Sequence, residues 1–438
     1  MELSKLKELA AAAGVVGAGG AGFPTSVKLA SGPDTLLING AECEPLLHTD
    51  YMLLREELAE VLRGTRLVLE ATGIEKAYMC VKQHTAERLG WEQGDVLEKG
   101  ITVYCLPDVY PMGDEVILTY QVLKRIVPPG GLPGQVGVLI QNVETLYNLA
   151  RAERGIPVTH KWLTVAGKVA QPFVTVVPVG TPVSALFKAA GVTVPEDCVV
   201  LDGGPAMGAV IRVNEAVIKK TTKGLCILPK SSAAVSGKLS LERTIAVHAS
   251  ANCCQCSLCT DLCPRALIGY PLEPHRIVRS AMSAMEENPE AFAAAQVCCG
   301  CGVCELTSCC QGISPRRVYE RAKAVLMKHK IRYRHTGELK AHPDRDFRML
   351  PIERFKMRIG VAPFDIPAEY REVAVNGDVT LFTRQHVGAP AQVLVKAGDT
   401  VTAGDCVAKA AEGISASIHT PIAGTVKAAD ETRIVIGR

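Results

Sequence analysis

The sequence predicts a multidomain protein of mixed α/β and α+β architecture. Its 438 residues exceed the usual size of one hydrophobic core. The hydrophobic pattern changes near residue 156 from alternating strands and helices to short β-rich runs. Eleven of the 17 cysteines crowd between Cys253 and Cys310. We therefore expect successive modules, each with its own core.

The segment 1–155 is predicted to form an α/β layer domain. The apolar runs Leu36–Ile38, Ala77–Val81 and Thr102–Cys105 are typical of buried strands. Residues 50–71 have the periodicity of an amphipathic helix. Strands that alternate with helices predict a sheet with helices packed on its faces.

The segment 156–240 is predicted to form a small α+β domain. Short β-rich runs at 163–166 and 174–177 are broken by Gly and Pro, and one helix is expected near 182–190. Residues 241–335 hold the cysteine runs and should form a separate module. Because the segment 336–378 is charged and contains several prolines, we expect a linker or a wrapping arm there.

The C-terminal segment 379–438 contains two similar halves, around Val395–Gly404 and His419–Val426. Hairpins with turn glycines are typical of a compact β-sandwich. The pattern resembles the barrel-sandwich fold of lipoyl and biotinyl carriers. No lysine stands near Ser417–Thr420, where those carriers attach their cofactor, so we expect a structural role for this domain.

The composition is that of a soluble globular protein. Net charge is +3 and hydrophobic content is 48%, which indicates neither a disordered chain nor a nucleic-acid binder. No apolar run reaches the roughly 18 residues that a spanning helix needs. The N-terminus lacks the apolar stretch of a secretory signal. We therefore expect no transmembrane segment, no nucleic-acid partner and no export.

The cysteine runs have the spacing of a bacterial ferredoxin. In the first run, Cys253, Cys256, Cys259 and Cys263 follow the C-x2-C-x2-C-x3-C-P pattern, in which the fourth thiolate reaches the other cluster. The second run has one extra residue before its last cysteine. We predict one 4Fe-4S cluster on Cys253, Cys256, Cys259 and Cys309. The other cluster is predicted on Cys298, Cys301, Cys304 and Cys263.

Two alternatives bear on these ligands. Paired C-x2-C units also bind zinc, although four cysteines per run favour iron–sulfur clusters. Three additional cysteines, Cys254, Cys299 and Cys310, each neighbour a predicted ligand. Spacing favours the assigned set, because adjacent side chains in an extended turn point apart. The choice between Cys309 and Cys310 stays the most open.

A glycine-rich loop, Gly17-Ala-Gly-Gly-Ala-Gly22, contains the G-x-G-x-x-G pattern. Its context does not fit a Rossmann turn, because a helical segment rather than a strand precedes it. Taken alone, the loop is more typical of a tight surface turn than of a cofactor site. Its glycines would nevertheless allow backbone amides to approach a phosphate or a flat ring closely.

The glycine loop is followed by three motifs: Asn39-x-x-Glu42-x-Glu44, Met112-Gly-Asp-Glu115 and Asn142-Val-Glu-Thr-Leu146. This order resembles the flavin- and NADH-binding subunit of respiratory complex I and the RnfC protein of Rnf complexes. The resemblance implies an FMN site formed by Gly17, Gly19, Gly20, Gly22, Lys28, Asn39, Glu42, Gly113, Asn142 and Thr145. It implies that Phe23, Glu44 and Glu115 face NADH, and that Glu42 and Glu115 are the catalytic carboxylates.

Together these cofactors make chemical sense. A nicotinamide delivers two electrons as a hydride, a 4Fe-4S cluster accepts one, and a flavin converts between the two. Carboxylates beside a dinucleotide can bind ribose hydroxyls and disfavour the 2'-phosphate of NADPH, so we expect NADH. Lys28 can offset phosphate charge.

The resemblance covers nearly the whole chain and includes Asp108–Pro111, Gly203–Pro205, Thr221–Thr222 and Cys259–Arg265. Taken together, these motifs are similar to the family of cobalamin reductases of propanediol-utilisation microcompartments. In that family the β-sandwich follows the clusters, as here, whereas RnfC proteins carry it at the N-terminus. The implied fold is a complex I-like flavin domain, a β-grasp (SLBB) domain, a di-cluster ferredoxin-like helical module and a C-terminal barrel-sandwich hybrid.

The family implies that the chain is an enzyme that reduces cob(III)alamin and cob(II)alamin with NADH. It also implies a cobalamin adenosyltransferase and microcompartment shell proteins as partners, and a cytoplasmic location inside a bacterial microcompartment. The sequence shows no Asp-x-His-x-x-Gly corrin motif. Two alternatives therefore stay open: an RnfC-like NADH-oxidising adaptor that feeds another reductase, and a non-catalytic ferredoxin-like relay.

Overall fold

The N-terminal domain of the computed structural model, which describes residues 1–280 and 282–437, is a sheet flanked by helices. Its helices are α1 (Leu3–Ala12), α2 (Thr25–Lys28), α3 (Thr49–Thr72), α4 (Gln83–Leu89), α5 (Glu115–Leu123) and α6 (Val143–Glu153). Its strands are β1 (Thr35–Gly40), β2 (Lys76–Lys82), β3 (Val96–Glu98), β4 (Ile101–Leu106), β5 (Val109–Tyr110) and β6 (Val138–Asn142).

The main sheet has the strand order β3-β4-β2-β1-β6, and β1 runs parallel to both of its neighbours. Leu36, Leu37 and Ile38 are all fully buried, so both faces of β1 are covered. The carboxyl ends of parallel strands meet at one edge of a sheet, where ligands of such folds bind. The loops after β1 and β6 therefore lie side by side.

The middle domain is a sheet packed against one helix. Its strands are β7 (His160–Gly167), β8 (Phe173–Pro178), β9 (Cys198–Asp202), β10 (Ala209–Ile211) and β11 (Gly224–Pro229), and its helix is α7 (Val183–Ala190). Leu186 and Phe187 of this helix share a core with Leu163 and Val165 of β7. The helix lies where the apolar pattern predicts it.

The cysteine module consists of short helices joined by loops. The helices are α8 (Ala233–Leu239), α9 (Glu242–Ala251), α10 (Leu258–Asp261), α11 (Pro274–Ile277), α12 (Met282–Glu287) and α13 (Pro315–Lys328). Val318 and Val325 of α13 belong to one apolar core with Leu106 and Ile117 of the N-terminal domain. The module is thus packed directly against that domain. In the described part of the chain, no helix is long and apolar enough to cross a membrane.

The segment after α13 packs along the N-terminal and middle domains. It contains β12 (Leu350–Pro351), α14 (Ile352–Arg358) and β13 (Glu369–Tyr370). Strand β12 pairs with β5 of the N-terminal domain, and β13 extends the middle sheet beside β8. Because it joins two sheets, this segment is a structural arm that holds the domains together.

The C-terminal domain is a β-sandwich. Its strands are β14 (Val379–Phe382), β15 (Gln392–Val393), β16 (Thr400–Val401), β17 (Cys406–Lys409), β18 (Ile418–His419), β19 (Gly424–Ala429) and β20 (Arg433–Gly437). They form a four-stranded and a three-stranded sheet. Leu381, Val407, Ile418 and Ile434 fill the core. The predicted multidomain α/β and α+β fold class is confirmed.

The tip of the sandwich is packed against the N-terminal domain. The ammonium of Lys220, in the middle domain, donates hydrogen bonds to the carbonyls of Gly14 and Ser417 at 2.7 and 2.8 Å. The amide of Val387 donates to the carbonyl of Gly22 at 3.0 Å. Burial lowers the pKa of Lys220 to about 7. Three domains therefore meet beside the glycine loop.

Candidate functional site

The glycine loop joins α1 to α2 and is closed by its own backbone. The amide of Gly17 donates to the carbonyl of Phe23 at 2.8 Å, and that of Gly22 donates to the carbonyl of Gly17 at 3.2 Å. Gly20 has a φ of +118° and Gly22 one of +68°, a region that side chains disfavour. A Cβ on Gly20 would meet nothing within 4 Å. At Gly20 the loop therefore presents its backbone to open space.

Residues at the junction of β6 and α6 contact the glycine loop and the end of β1. The amide of Ala18 donates to the hydroxyl of Thr145 at 3.0 Å. Asn142 caps α6 by accepting from the amide of Glu144 at 3.0 Å, and its own amide donates to the carbonyl of Asn39 at 3.1 Å. The structure thus brings the glycine loop, the end of β1 and the start of α6 together, as the sheet topology requires.

Charged residues form the side of the same site. Lys28, at the end of α2, makes an ion pair with Glu115 in the first turn of α5. The two side chains keep 23% and 42% of their exposure, so both face solvent in part. The side-chain amide of Asn39 donates to the carbonyl of Gly113 at 3.0 Å. These contacts bring Lys28, Asn39, Gly113 and Glu115 close together beside the carboxyl end of β1.

Glu42 has a strained backbone and a perturbed carboxyl. Its φ is +33°, which is uncommon for a residue with a Cβ. The carboxylate accepts from the amides of Asp50 and Tyr51 at 2.9 and 3.2 Å, at the start of α3. Burial, together with the neighbouring carboxylate of Asp50, raises the pKa of Glu42 to about 7. Lys223 pairs with Asp50 at 2.5 Å and limits this effect.

Glu44 is held inside the protein. Its carboxylate accepts from the amides of Ala206 and Met207 at 2.8 and 2.9 Å and lies 3.4 Å from the hydroxyl of Tyr110. Burial raises the pKa of this carboxyl. Gly204 leaves the room that the side chain occupies, since a Cβ there would lie 2.2 Å from its carboxylate. Glu44 is therefore held by backbone amides of the middle domain.

Phe23 lies partly buried in the glycine loop.

The residues of this site fit flavin mononucleotide. Gly19 and Gly20 are exposed, so their amides are free to approach a phosphate or a ring edge. Lys28 adds a cation, and Asn39 and Asn142 add polar groups at the carboxyl edge of the sheet. Open space beside Gly20 leaves room for a ligand. The donor set therefore suits an anionic, planar cofactor.

The predicted cluster ligands line two separate cavities. The inner cavity is lined by Cys263, Cys298, Cys301 and Cys304, together with Arg316 and Tyr319. The outer cavity is lined by Cys253, Cys256, Cys259 and Cys309. Among the predicted ligands, each cavity receives three thiols from one run and one from the other, which is the crossed arrangement expected for two clusters. The donor chemistry suits 4Fe-4S clusters.

The additional cysteines lie beside these two sets. Cys299 borders the inner cavity, and Cys254 and Cys310 border the outer one. The Sγ atoms of Cys254, Cys256 and Cys310 lie within 4.8 Å of one another. Cys309 is partly buried, and its Sγ accepts from the amide of Ile313 at 3.3 Å, whereas Cys310 is exposed. The choice of Cys309 as a ligand stays a prediction.

Sequence reasoning assigned no role to Tyr110, Asp114 or Arg265. Arg265 forms an ion pair of 2.7 Å with Asp114 and lines the inner cavity. Tyr110 donates to the carbonyl of Cys301 at 2.8 Å and stacks on Phe355. All three residues stand inside or beside the motifs that carry the family resemblance. They connect the glycine-loop domain to the inner cavity.

Three family matches cover most of the chain. Residues 10–151 match the Nuo51 FMN-binding domain, residues 252–314 match the 4Fe-4S dicluster domain, and residues 367–438 match the RnfC barrel sandwich hybrid domain. The chain accordingly has an FMN-binding domain and a 4Fe-4S dicluster domain. The barrel sandwich follows the dicluster domain in the sequence.

Several curated proteins are similar to this chain. The RnfC-type component of the Na(+)-translocating ferredoxin:NAD(+) oxidoreductase complex of Acetobacterium woodii is 32% identical, over 60% of this chain and 58% of its own length. Among solved structures, the NAD+-reducing [NiFe]-hydrogenase in the H2-reduced state aligns with a TM-score of 0.45 and 19% identity, covering 75% of this chain and 62% of that chain.

Two further relatives align from end to end. Cobalamin reductase PduS of Salmonella typhimurium is 39% identical over 100% of this chain and 97% of its own length. The PduS protein of Citrobacter freundii is 38% identical over 99% of this chain and 96% of its own length. Similarity of this extent includes every domain and both cysteine runs. The chain therefore belongs to the PduS family of cobalamin reductases.

Proposed function

We propose that this protein is an NADH-dependent cobalamin reductase that uses FMN and two 4Fe-4S clusters. The observation that carries the proposal is the direct contact between the glycine-loop domain and the inner cysteine cavity, through Tyr110 and Cys301. A hydride acceptor and a single-electron carrier must lie close together for this chemistry. The identity of the acceptor, cobalamin, follows from the relatives that align over the whole chain.

FMN, when bound, accepts two electrons from NADH and passes them on one at a time. The amides of the exposed Gly19 and Gly20 would hold its phosphate or ring edge. Gly17 and Gly22, whose amides bond within the loop, would line the same site. Lys28 would offset negative charge, and Thr145 fixes the loop through its bond to Ala18. Asn39, Gly113 and Asn142 would shape the remaining wall.

The carboxylates near Lys28 would set the choice of dinucleotide. Glu115 pairs with Lys28 and keeps 42% of its side-chain exposure, so it can accept hydrogen bonds from ribose hydroxyls. A 2'-phosphate at that position would meet like charge, which favours NADH over NADPH. Phe23 supplies an aromatic face in the loop. Glu44 would contribute only if NADH binding released it from Ala206 and Met207.

Glu42 is suited to holding a proton near the flavin site. A carboxyl with a pKa of about 7 is present in both protonation states at neutral pH. It lies directly after β1, beside Asn39, and its position is fixed by the amides at the start of α3. We infer that Glu42 exchanges a proton at this end of the sheet, where Lys223 offsets the negative charge of its ionised form and the Asp50 carboxylate opposes ionisation.

The positions of the two cysteine cavities support an order for the two clusters. Arg265 and Tyr110 tie the inner cavity to the glycine-loop domain. The outer cavity includes the exposed Cys256. We infer that the cluster held by Cys263, Cys298, Cys301 and Cys304 lies on the flavin side. The cluster held by Cys253, Cys256, Cys259 and Cys309 then lies at the exit to the acceptor.

The likeness to PduS proteins supports a proposal for the cellular setting. Reduced cobalamin is short-lived in water, so a reductase is best placed beside the enzyme that consumes its product. We propose a cobalamin adenosyltransferase as the partner, and a cytoplasmic location inside a bacterial microcompartment with its shell proteins nearby.

One other function has a specific observation in its favour. The 32% identity with the RnfC-type component of the Acetobacterium woodii complex supports an NADH-oxidising adaptor that feeds another reductase. The adaptor would show NADH-dependent reduction of the flavin and both clusters without rapid transfer to cobalamin. The two functions therefore differ only in the last electron transfer.

An anaerobic titration with NADH tests the proposal. Hydroxocobalamin serves as acceptor, and flavin, cluster and corrin absorption bands are recorded together. The proposal predicts that the corrin is reduced while flavin and clusters are reoxidised. Bleached flavin and clusters beside an unchanged corrin would favour the adaptor. An unchanged flavin absorption band would exclude NADH as the electron donor.

A further inference from the structure

Two cysteines outside the predicted ligand sets lie in contact at the rim of the outer cavity. The Sγ atoms of Cys254 and Cys310 are 3.7 Å apart, and both residues are exposed. They come from different cysteine runs, 56 residues apart in sequence. Each directly follows a predicted ligand, Cys253 or Cys309. The fold therefore brings a pair of accessible thiols together next to a predicted cluster.

The loop around Cys254 holds this thiol at the surface. Gln255 and Ser257 both adopt left-handed conformations, with φ of +57° and +61°, which non-glycine residues rarely do. Gln255 accepts a hydrogen bond of 2.6 Å from Arg279. Such backbone strain persists only where surrounding contacts enforce it. Cys254 thus stands at the start of a constrained loop, with its Sγ 3.7 Å from that of Cys310.

We propose that Cys254 and Cys310 form a redox-active dithiol that closes to a disulfide and is reopened by electrons from NADH. The reopening rests on the proposed function, which supplies electrons to the outer cavity. Exposed disulfides are the easily reduced ones, and the outer cavity is where single electrons would leave the protein. The dithiol would give the enzyme a second, disulfide-type acceptor.

The chemistry balances in both directions. With a low-molecular-weight disulfide as oxidant, one thiolate attacks a sulfur and displaces one thiol, and the second thiolate displaces the other. The products are the Cys254–Cys310 bond and two small thiols. Reduction consumes two electrons and two protons: NADH and one proton convert the disulfide into two thiols and yield NAD+.

The test uses the full chain with FMN and clusters bound, kept without oxygen. The protein is treated with oxidised glutathione, freed from it, and divided into samples with and without NADH. Free thiols are then alkylated, and peptides containing Cys254 and Cys310 are quantified by mass spectrometry. We expect a linked peptide in the oxidised sample and a loss of roughly tenfold or more after NADH.

Variants separate the dithiol from the clusters. Cys310→Ser should abolish the linked peptide and retain about eight irons per chain. Cys406→Ser, which changes an exposed cysteine of the C-terminal domain, should alter neither result. Loss of about four irons in Cys254→Ser or Cys310→Ser would overturn the proposal, because these residues would then be cluster ligands.

Flavin and cluster absorption in the same NADH sample distinguish failure of the dithiol proposal from failure of the proposed function. Bleached flavin and clusters with a persistent disulfide would overturn the dithiol proposal and leave the proposed function intact. Unbleached flavin would count against the proposed function instead. Absence of any linked peptide in the oxidised wild-type protein would also overturn the dithiol.

Discussion

The hydroxyl of Tyr110 donates a hydrogen bond of 2.8 Å to the backbone carbonyl of Cys301. Tyr110 belongs to the glycine-loop domain, and Cys301 is a predicted ligand at the inner cavity. The tyrosine is 2% exposed and stacks on Phe355 of the wrapping arm. Its position is therefore fixed from two sides. The contact gives the link between the flavin-type site and the cysteine module a defined geometry.

Tyr110→Phe should weaken this link while both cofactor sites remain. The carbonyl of Cys301 would lose its donor inside the protein, which costs about 1–3 kcal/mol. We expect reduction of the clusters to lag behind reduction of the flavin in stopped-flow traces after NADH addition. Tyr370→Phe changes an exposed tyrosine and serves as the control. Equal rates of cluster reduction in wild type and Tyr110→Phe would show that this hydrogen bond does not contribute to electron transfer.

Cys301→Ala should remove one cluster and leave flavin chemistry in place. The inner cavity would lose one of four thiolates, so iron content should fall by about four per chain. NADH should still bleach the flavin, because the cysteine lies in the cluster module and outside the glycine loop.

Cys299→Ser is the matched control for Cys301→Ala. Cys299 borders the same cavity but stands outside the predicted ligand set, so we expect about eight irons. If Cys299→Ser lost iron and Cys301→Ala retained it, Cys299 rather than Cys301 would be the cluster ligand. Loss of FMN from Cys301→Ala would show misfolding, which a thermal unfolding curve detects.

Glu115→Ala should impair NADH oxidation without affecting the clusters. The substitution removes a partly exposed carboxylate and leaves Lys28 without its ion-pair partner. We expect kcat/KM for NADH to fall at least about tenfold, while dithionite still reduces both clusters. Glu215→Ala removes an exposed carboxylate of the middle domain and should change neither. Unaltered NADH kinetics in Glu115→Ala would exclude Glu115 from the dinucleotide pocket.

Much of the fold could be predicted from local pattern. The runs around Leu37, Met79 and Val103 became the central strands because buried parallel strands leave near-continuous apolar sequence. The meeting of the glycine loop with Asn142 and Thr145 follows from that topology, since parallel strand ends share one edge. The spacing of the two runs also predicts the crossed cysteine sets, and the choice of Cys309 over Cys310 stays a prediction.

Contacts between domains could not be predicted in the same way. Glu44 is bound by the amides of Ala206 and Met207, which lie 162 and 163 residues away in sequence. Lys220 carries no local signal of its burial between Gly14 and Ser417. Such partners are chosen by the docking of whole domains, and no periodicity or spacing within a segment encodes them.

Glu42→Gln should flatten the dependence of stability on pH. The native pKa of about 7 lies above the ordinary value of 4.5, so folding favours the protonated carboxyl. This contribution is fully present below pH 4.5 and is lost as pH rises through 7. We therefore expect the wild-type unfolding free energy to fall across this interval by on the order of 1–3 kcal/mol from this group.

Chemical denaturation at several pH values checks the prediction for Glu42. The glutamine variant should lack the decline that the ionisation of Glu42 causes. Glu8→Gln replaces an exposed carboxyl of α1 and should retain the wild-type profile. A profile of Glu42→Gln parallel to that of wild type between about pH 5 and 8 would show that Glu42 ionises normally.

Lys220→Met should loosen the junction of three domains and weaken FMN binding. Lys220 is 2% exposed, and its ammonium donates to the carbonyls of Gly14 and Ser417. Methionine fills similar space but leaves both carbonyls without a donor, at a cost of about 1–3 kcal/mol for each. Part of this cost is offset, because burial already disfavours the charged ammonium.

The effect on FMN separates a local from a global role of Lys220. Gly14 lies three residues before the glycine loop, so the loop should gain freedom and release FMN more readily. Lys230→Met is the control, since Lys230 donates to a single carbonyl at the surface, that of Glu196. We expect a lower midpoint of thermal unfolding and a higher Kd for FMN, measured by flavin fluorescence, in Lys220→Met alone. An unchanged Kd with a lowered midpoint would mean that the junction stabilises the fold without shaping the flavin site.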